Sequence, residues 1–557
     1  MSNALPRIGS VAYFSMDVAV DSQIPTYSGG LGVLAGDTLR SAADLEIPMV
    51  AVSLIHRKGY FAQKLDAHGN QMESPADWSP ETHLQRLGPI VSVSIEGREV
   101  RVGAWQYVFA GITGHAVPLF FLDTDLEENS PADRGLTDFL YGGDQRYRLC
   151  QEAILGLGGV MMLRALGYAD IQIFHMNEGH SALAPLALLE ELGRERGEER
   201  FSETEVQAVR RHCAFTTHTP VPAGHDRFAA DLVYQVLGEK RANTLAQLQL
   251  INGALNMTEL ALRLSGFVNA VSMRHAEVSR AMFPNHGIDA ITNGVHAATW
   301  TAAPMAALYD RYLPGWRSDN CYLRYAVGIP RGEIRQAHEQ AKQELLRQVR
   351  WLTGSQLDER IFTIGFARRA TGYKRGDLLF ANLERLKQIA RQAGSIQLIY
   401  AGKAHPRDEG GKEIIRRIFE AGAALAKDMR GAGARGEALG LSDDEIACYD
   451  ALEVNDSAVK VLGDETLRDI ARELVESVRN NVTIDWTLRQ NVRAKLRVLG
   501  KRILRKHGYD TYGFVSHIML TPTYGIGDGF GHFVFSVLNV GHPHEVETSQ
   551  KLTEIGR

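Results

Sequence analysis

Glycines, cations and imidazoles in this chain fall into three groups whose types and spacing suit the handling of an anion and a sugar. The first is Thr26-Tyr27-Ser28-Gly29-Gly30-Leu31-Gly32, which follows the apolar run Val11-Ala12-Tyr13-Phe14-Ser15-Met16. Glycine permits positive φ and close backbone approach. A helix that follows would aim its free N–H groups and positive end at a bound phosphate. The same residues could also make a tight turn that only joins strand to helix. The second group, Arg368, Arg369, Lys374 and Arg375, comes directly after Ile361-Phe-Thr-Ile-Gly-Phe-Ala367. Guanidinium forks and an ammonium at the carboxyl end of a strand can bind phosphate oxygens, whereas cations on an isolated loop are simply solvated. The third group consists of imidazoles and amides at the ends of short apolar runs. His175, Asn177 and His180 follow Ile171, His218 ends Cys213-Ala-Phe-Thr-Thr, and Asn293 and His296 sit in Thr-Asn-Gly-Val-His. Such groups suit sugar hydroxyls, although His180 taken alone reads as a helix-terminal cap.

The elements that would position these groups form a β-loop-α-β opening. Asp37–Leu45 has helical spacing, and Pro48–Ile55 is a continuous apolar run of buried-strand type. Further strands are expected at 102–109 and 116–122, and helices at 145–166, 182–192, 331–352, 378–391 and 412–424. This pattern predicts an α/β protein with a mostly parallel sheet and ligands beyond the carboxyl ends of its strands. The 61 basic and 66 acidic residues give a net charge of -5, so no global field favours nucleic acid or an anionic membrane. Cys150, Cys213, Cys321 and Cys448 are widely spaced and show no metal-ligand pairing, which fits a reduced cytoplasmic setting. No apolar run approaches the ~20 residues of a membrane helix.

Over residues 8–421 the ordered motifs resemble one family. They are Ala12-Tyr-Phe-Ser-Met, Tyr27-Ser-Gly-Gly-Leu-Gly-Val-Leu-Ala-Gly-Asp, His56-Arg-Lys-Gly-Tyr-Phe, Tyr141-Gly-Gly-Asp, His175-Met-Asn-Glu-Gly-His-Ser, Thr216-Thr-His-Thr-Pro, Thr292-Asn-Gly-Val-His, Arg368-Arg-Ala-Thr-Gly-Tyr-Lys-Arg and Ala401-Gly-Lys-Ala-His-Pro. The family is the α-glucan phosphorylases of glycogen, starch or maltodextrin, in their short prokaryotic form. The resemblance implies two Rossmann-like domains facing across a cleft, the GT-B type. It also implies transfer of a terminal α-1,4-linked glucose to inorganic phosphate, giving glucose 1-phosphate, with pyridoxal phosphate passing a proton through its phosphate group. Carried over by position, Gly29, Gly30 and Leu31 would lie at the phosphates, and Arg369 and Lys374 would hold substrate phosphate. Arg368 would face the cofactor phosphate, His218 and Asn293 would contact glucose, and Tyr13 and Trp300 would flank the cofactor ring. The expected partners are an α-1,4-glucan and phosphate. No metal, membrane or nucleic-acid partner is expected, and a homo-oligomer stays open.

The likeness stops after Ala421. The Glu-Ala-Ser-Gly-Thr…Met-Lys segment that carries the cofactor lysine in the family does not occur in the chain, so no Schiff-base residue is assigned. Residues 429–508 instead resemble the helical C-terminal region of type I restriction enzyme motor subunits. The likeness rests on Glu437-Ala-Leu-Gly-Leu-Ser-Asp-Asp-Glu, Tyr449-Asp-Ala-Leu, Val459-Lys-Val-Leu-Gly-Asp and Asn481-Val-Thr-Ile-Asp-Trp-Thr-Leu-Arg. The expected organisation is a Rossmann-like domain at 1–330, then a linker helix and a truncated second one at 331–423. A helical segment at 424–508 and an unassigned tail at 509–557 follow. Ser442 would cap a helix, 485–506 would form a basic amphipathic helix, and His532, His542 and His544 are too loosely spaced to read as metal ligands. Two other readings of the same residues stay open. One is a nucleotide-sugar glucosyltransferase of the same architecture, and the other is a non-catalytic chimera that binds glucan or associates with nucleic acid.

Overall fold

The computed structural model describes residues 10–196, 201–221, 225–355, 357–441, 445, 449, 456–481, 498–499, 502–507 and 534–537. The chain divides into two compact units, Met1–Ala62 with Ser74–Ile334 and Gln63–Glu73 with Arg335–Arg557. Ser442, most of 485–506 and the three tail histidines lie outside the described residues.

The first unit is a mixed α/β body on a ten-stranded sheet. Its seven parallel strands are β1 (Val11–Ser15), β2 (Met49–Leu54), β3 (Ala116–Asp123), β4 (Ile173–Asn177), β5 (Cys213–Thr217), β6 (Phe267–Ala270) and β7 (Asp289–Ala290). They run in the order β7-β6-β5-β4-β1-β2-β3, and the antiparallel strand Arg98–Ala110 extends the β3 side. β1 lies at the centre, with Tyr13 opposite both Ala51 and His175. Strand periodicity divides its apolar side chains between the two sheet faces. Ala12, Phe14, Val52 and Phe120 enter one core, while Tyr13, Ala51, Leu119 and Phe121 enter the other. The helical run expected at 145–166 is continuous, but Ile154–Gly158 within it is a fully buried π turn.

The glycine stretch differs from the sequence reading. Helix α1 spans Gly30–Asp44, so the glycines form its first turns rather than a loop before it. A Cβ on Gly36 would lie 2.1 Å from the Ala19 carbonyl oxygen, and one on Gly32 would lie 2.7 Å from Asp17 Oδ2. These two glycines let the helix press on the chain that leaves β1. Gly29 and Gly30 have nothing within 4 Å of such a Cβ. Gly36→Ala is therefore expected to lose about 1–3 kcal/mol, the usual cost of overpacking, whereas Gly30→Ala should lose none. Thermal melts of the two variants check this contrast, and equal midpoints would contradict it.

The second unit carries a three-stranded parallel sheet, with β9 (Ile396–Ala401) between β8 (Phe362–Ala367) and β10 (Val534–Val537). Its third strand comes from the tail that carried no family likeness. Leu386, Ala390, Ile414 and Ile418 cover one face of β9, and Leu346, Val349 and Leu357 pack on Ile399. The helix expected from Leu378 begins instead at Leu383. Arg375 is left-handed at φ 50°, a short 3₁₀ turn follows, and the Asn382 side chain caps the Arg385 N–H at 2.9 Å. Farther on, Asp456–Asn481 is a helix that buries Leu467, Ile470, Ala471, Leu474 and Val475, the three-and-four spacing of one face. No helix among the described residues is long and apolar enough to cross a membrane.

Candidate active site

In the first unit, polar groups gather where β1, β4, β5, β6 and β7 end. Asp17, just past β1, is buried, and burial pushes its carboxyl up to about 6. The Tyr141 hydroxyl donates to Asp17 Oδ1 at 3.1 Å, and Tyr141, His180 and the Ser28 and Gly32 amides oppose the shift. The start of α1 has no side-chain cap, so the N–H groups of Gly30 and Leu31 point out past two uncrowded glycines. Gly30 is exposed and Leu31 half-buried.

Glu178 links the ends of β4 and β5. Its φ of 68° is unusual for a residue with a side chain and costs on the order of 1–3 kcal/mol. The carboxylate offsets this by accepting from the N–H groups of Gly179 at 3.1 Å and His218 at 2.8 Å, and from Thr219 Oγ1 at 3.0 Å. His218 Nε2 donates to Asn177 Oδ1, and Asn177 Nδ2 donates to Ser15 Oγ at 3.0 Å. This chain sets the tautomer and leaves Nδ1 as the acceptor nitrogen of a neutral ring. Burial lowers the His218 pKa to about 4, so the ring is uncharged at neutral pH. Beside it, His175 Nε2 donates to Thr216 Oγ1 at 2.8 Å, and Thr216 donates to Asn269 at 2.8 Å. His180 does not act as a helix cap. It sits in the turn Gly179–Ser181 with Nε2 3.3 Å from Asp226, which also pairs with Arg148.

Tyr13 is only 2% exposed, and its ring meets His175 edge-on at 5.1 Å. Trp300, 56% exposed, donates from Nε1 to Asp37 at 2.8 and 3.0 Å. Two carboxylates of α1 thus hold the 293–300 loop, because His296 donates from its N–H to Asp37 at 3.1 Å and from Nε2 to Asp44 at 2.8 Å. Asn293 is exposed on that loop, its N–H bonded to the Val271 carbonyl at 3.0 Å. Among the described residues, no group of His, Cys, Asp or Glu is arranged to hold a metal.

In the second unit, Arg368, Arg369 and Lys374 follow β8. The loop runs alongside the exit of β9, with Arg368 N–H donating to Ala401 O at 3.1 Å and Ala370 N–H to Lys403 O at 3.0 Å. Gly402 makes the approach feasible, since a Cβ there would sit 2.1 Å from the Arg368 carbonyl oxygen. Arg368 and Arg369 are exposed, and Lys374 is half-buried. Burial, then the Arg368 and Arg369 guanidiniums, lower the Lys374 pKa. Three cations therefore share one loop at a strand's carboxyl end, where an anion would relieve their repulsion.

Each unit holds part of the expected set: Tyr13, Gly29, Gly30, Leu31, His218, Asn293 and Trp300 in the first, Arg368, Arg369 and Lys374 in the second. Sequence reasoning assigned no role to Asp17, Asp37 or Glu178. Asp17 and Glu178 follow strands directly, which was the available signal.

The fold and the strand-end groups define a mixed α/β protein built on parallel sheets with its polar chemistry at their carboxyl ends. Known proteins carry the assignment further. The chain is 37% identical over 451 residues to a maltodextrin phosphorylase of Thermococcus litoralis, covering 74% of this chain and 53% of that protein. It is 38% identical over 476 residues to a glycogen phosphorylase of Mycobacterium tuberculosis, covering 75% and 54%. The chain is thus homologous to glycogen and maltodextrin phosphorylases over about three quarters of its own length, and it spans about half the length of these relatives. Residues 413–514 match a second family, the C-terminal region of type I restriction enzyme HindI endonuclease subunit-like proteins. That part is 40% identical over 97 residues to the HindI endonuclease subunit of Haemophilus influenzae, covering 17% of this chain and 9% of that protein.

Proposed function

We propose that the chain is an α-glucan phosphorylase, a glycosyltransferase that passes a terminal α-1,4-linked glucose to inorganic phosphate and releases glucose 1-phosphate. The observation that carries this reading is the Arg368, Arg369 and Lys374 cluster, a triad of cations whose lysine is held at a depressed pKa by burial and its neighbours. Arg369 and Lys374 would hold the attacking phosphate. Its negative charge would stabilise an oxocarbenium-like centre as the glycosidic C–O bond breaks. The phosphate's proton would pass to the departing glucan oxygen and a phosphate oxygen would bond C1, so no protein nucleophile is required. His218 is neutral and would accept a sugar hydroxyl at Nδ1, and Asn293 would offer its amide to another. The finer fold reading, two Rossmann-like domains of GT-B type with a shortened second one, belongs to this proposal and is supported by the parallel sheet in each unit.

Pyridoxal phosphate, which the family implies, would supply a phosphate able to pass a proton. In the first unit the uncrowded Gly29 and Gly30, with Leu31, would leave room for a phosphate of that group, and Trp300 presents an exposed ring; in the second, Arg368 would offer a guanidinium to a phosphate. No lysine of this chain is identified for its aldehyde. A calorimetric titration tests the reading. Saturable orthophosphate binding displaced by glucose 1-phosphate supports it, while ADP-glucose binding without orthophosphate binding would favour a nucleotide-sugar glucosyltransferase instead.

A further inference from the structure

We propose that the hairpin of strands Ala62–Leu65 and Gln71–Ser74 is a brace for the cation-bearing loops of the second unit, with Gln71 as its positioning residue. The chain leaves the first unit at Ala62 and returns at Ser74, so this hairpin is a short excursion into the second. A two-stranded hairpin has little stability of its own, and what it touches decides what it does.

Gln71 is buried, and its amide uses all four of its hydrogen-bonding positions. Oε1 accepts from the Ala404 N–H at 2.9 Å and from Gln63 Nε2 at 2.9 Å. Nε2 donates to the Ala404 carbonyl at 3.0 Å and to Glu73 Oε1 at 2.8 Å. The side chain thus pairs with Ala404 as a neighbouring strand would, on a residue that is itself fully buried. One residue back, the Lys403 carbonyl accepts from Ala370, the neighbour of Arg369. Three further attachments fix the hairpin to the same place. Leu65 packs with Ala370, Ala404, Ile415 and Phe419. The turn at Gly69, φ +79°, seats so closely that a Cβ would lie 2.6 Å from Phe419 Cβ. Glu73 pairs with Lys412 at 3.2 Å. No hairpin residue has been assigned a role toward phosphate or sugar, so the hairpin's influence passes through Ala404, Lys403 and Ala370 to the arginines.

Gln71→Ala would leave the Ala404 N–H and carbonyl buried without partners. Because the brace rests on the phosphate reading, the full chain is tested by two readouts. Amide hydrogen exchange at Ala370 and Ala404 is expected to rise at least tenfold in Q71A, with β9 amides unchanged, and orthophosphate affinity is expected to fall about tenfold. Gln71→Glu keeps the acceptor for the Ala404 N–H but sets a carboxylate against the Ala404 carbonyl and Glu73, so it should not restore wild-type exchange. Lys412→Met cuts only an outer attachment and should give a smaller rise at the same two amides. Unchanged exchange at Ala370 and Ala404, or an equal rise throughout β9, overturns the brace. If the wild-type chain binds no orthophosphate, the phosphorylase reading fails while the exchange pattern still decides the brace.

Discussion

Arg369→Ala is expected to lower the rate of maltodextrin phosphorolysis about 100- to 1,000-fold. That is the usual effect of removing one preorganised donor from charge that develops in a transition state. The side chain is exposed and lies outside the described apolar clusters, so the thermal midpoint should move little. Arg369→Lys should recover only part of the loss, because an ammonium does not reproduce the two-pronged donor geometry of a guanidinium. Initial rates measured against phosphate concentration separate these outcomes. An R369A enzyme within about threefold of wild type would remove Arg369 from the phosphate grip.

Acidification from pH 7 to pH 5 should remove on the order of 2 kcal/mol of stability from the first unit. Burial lowers the pKa of His56, His175 and His218 each to about 4. His56 has Nε2 on the Met16 carbonyl at 2.8 Å, an arrangement suited to the neutral ring. Unfolded, each imidazole takes a proton near its ordinary value of 6.5, so stability present above that pH is lost as pH falls toward 4. Asp17 acts in the opposite sense. Its folded pKa of about 6 exceeds the ordinary 3.8, so its share of stability is present below 3.8, and part of it returns as pH falls through 6. Glu152, whose buried carboxyl is also held well above its ordinary value, acts with Asp17, and the three imidazoles outweigh the two carboxyls. Against a total of about 5–15 kcal/mol for a typical domain, that loss is large enough to move the denaturant midpoint. Denaturant midpoints measured at several pH values test this, and a flat profile between 7 and 5 would contradict it.

Much of the first unit could be read from local patterns. β1, α1 and β2 follow from an apolar run, a glycine-rich entry and a second apolar run, and parallel pairing places their loops beyond the carboxyl ends of the strands. The glycines themselves could not be sorted. Only the packing of Gly32 on Asp17 and of Gly36 on Ala19 separates positions that need a missing side chain from the open Gly29 and Gly30. Asp17 and Glu178 were visible as strand-end acids, but their work depends on Tyr141, His218 and Thr219, which come from other segments. Gln71 was beyond reach, since its partner Ala404 lies 333 residues away. The second unit was less legible for the same reason. β10 comes from the tail and pairs with β9 across more than a hundred residues, and no periodicity announces such a pairing. The start of the helix at Leu383 likewise depended on the left-handed Arg375 rather than on propensity.

The central claim is that the cations after β8 bind orthophosphate for transfer of glucose to it. Phosphorus NMR of the full chain incubated with a maltodextrin, orthophosphate and pyridoxal phosphate tests this most directly. The account predicts a growing resonance of α-glucose 1-phosphate that is lost, or slowed at least 100-fold, in the R369A variant. A wild-type chain that forms no glucose 1-phosphate, or an R369A variant that forms it at the same rate, would contradict the account.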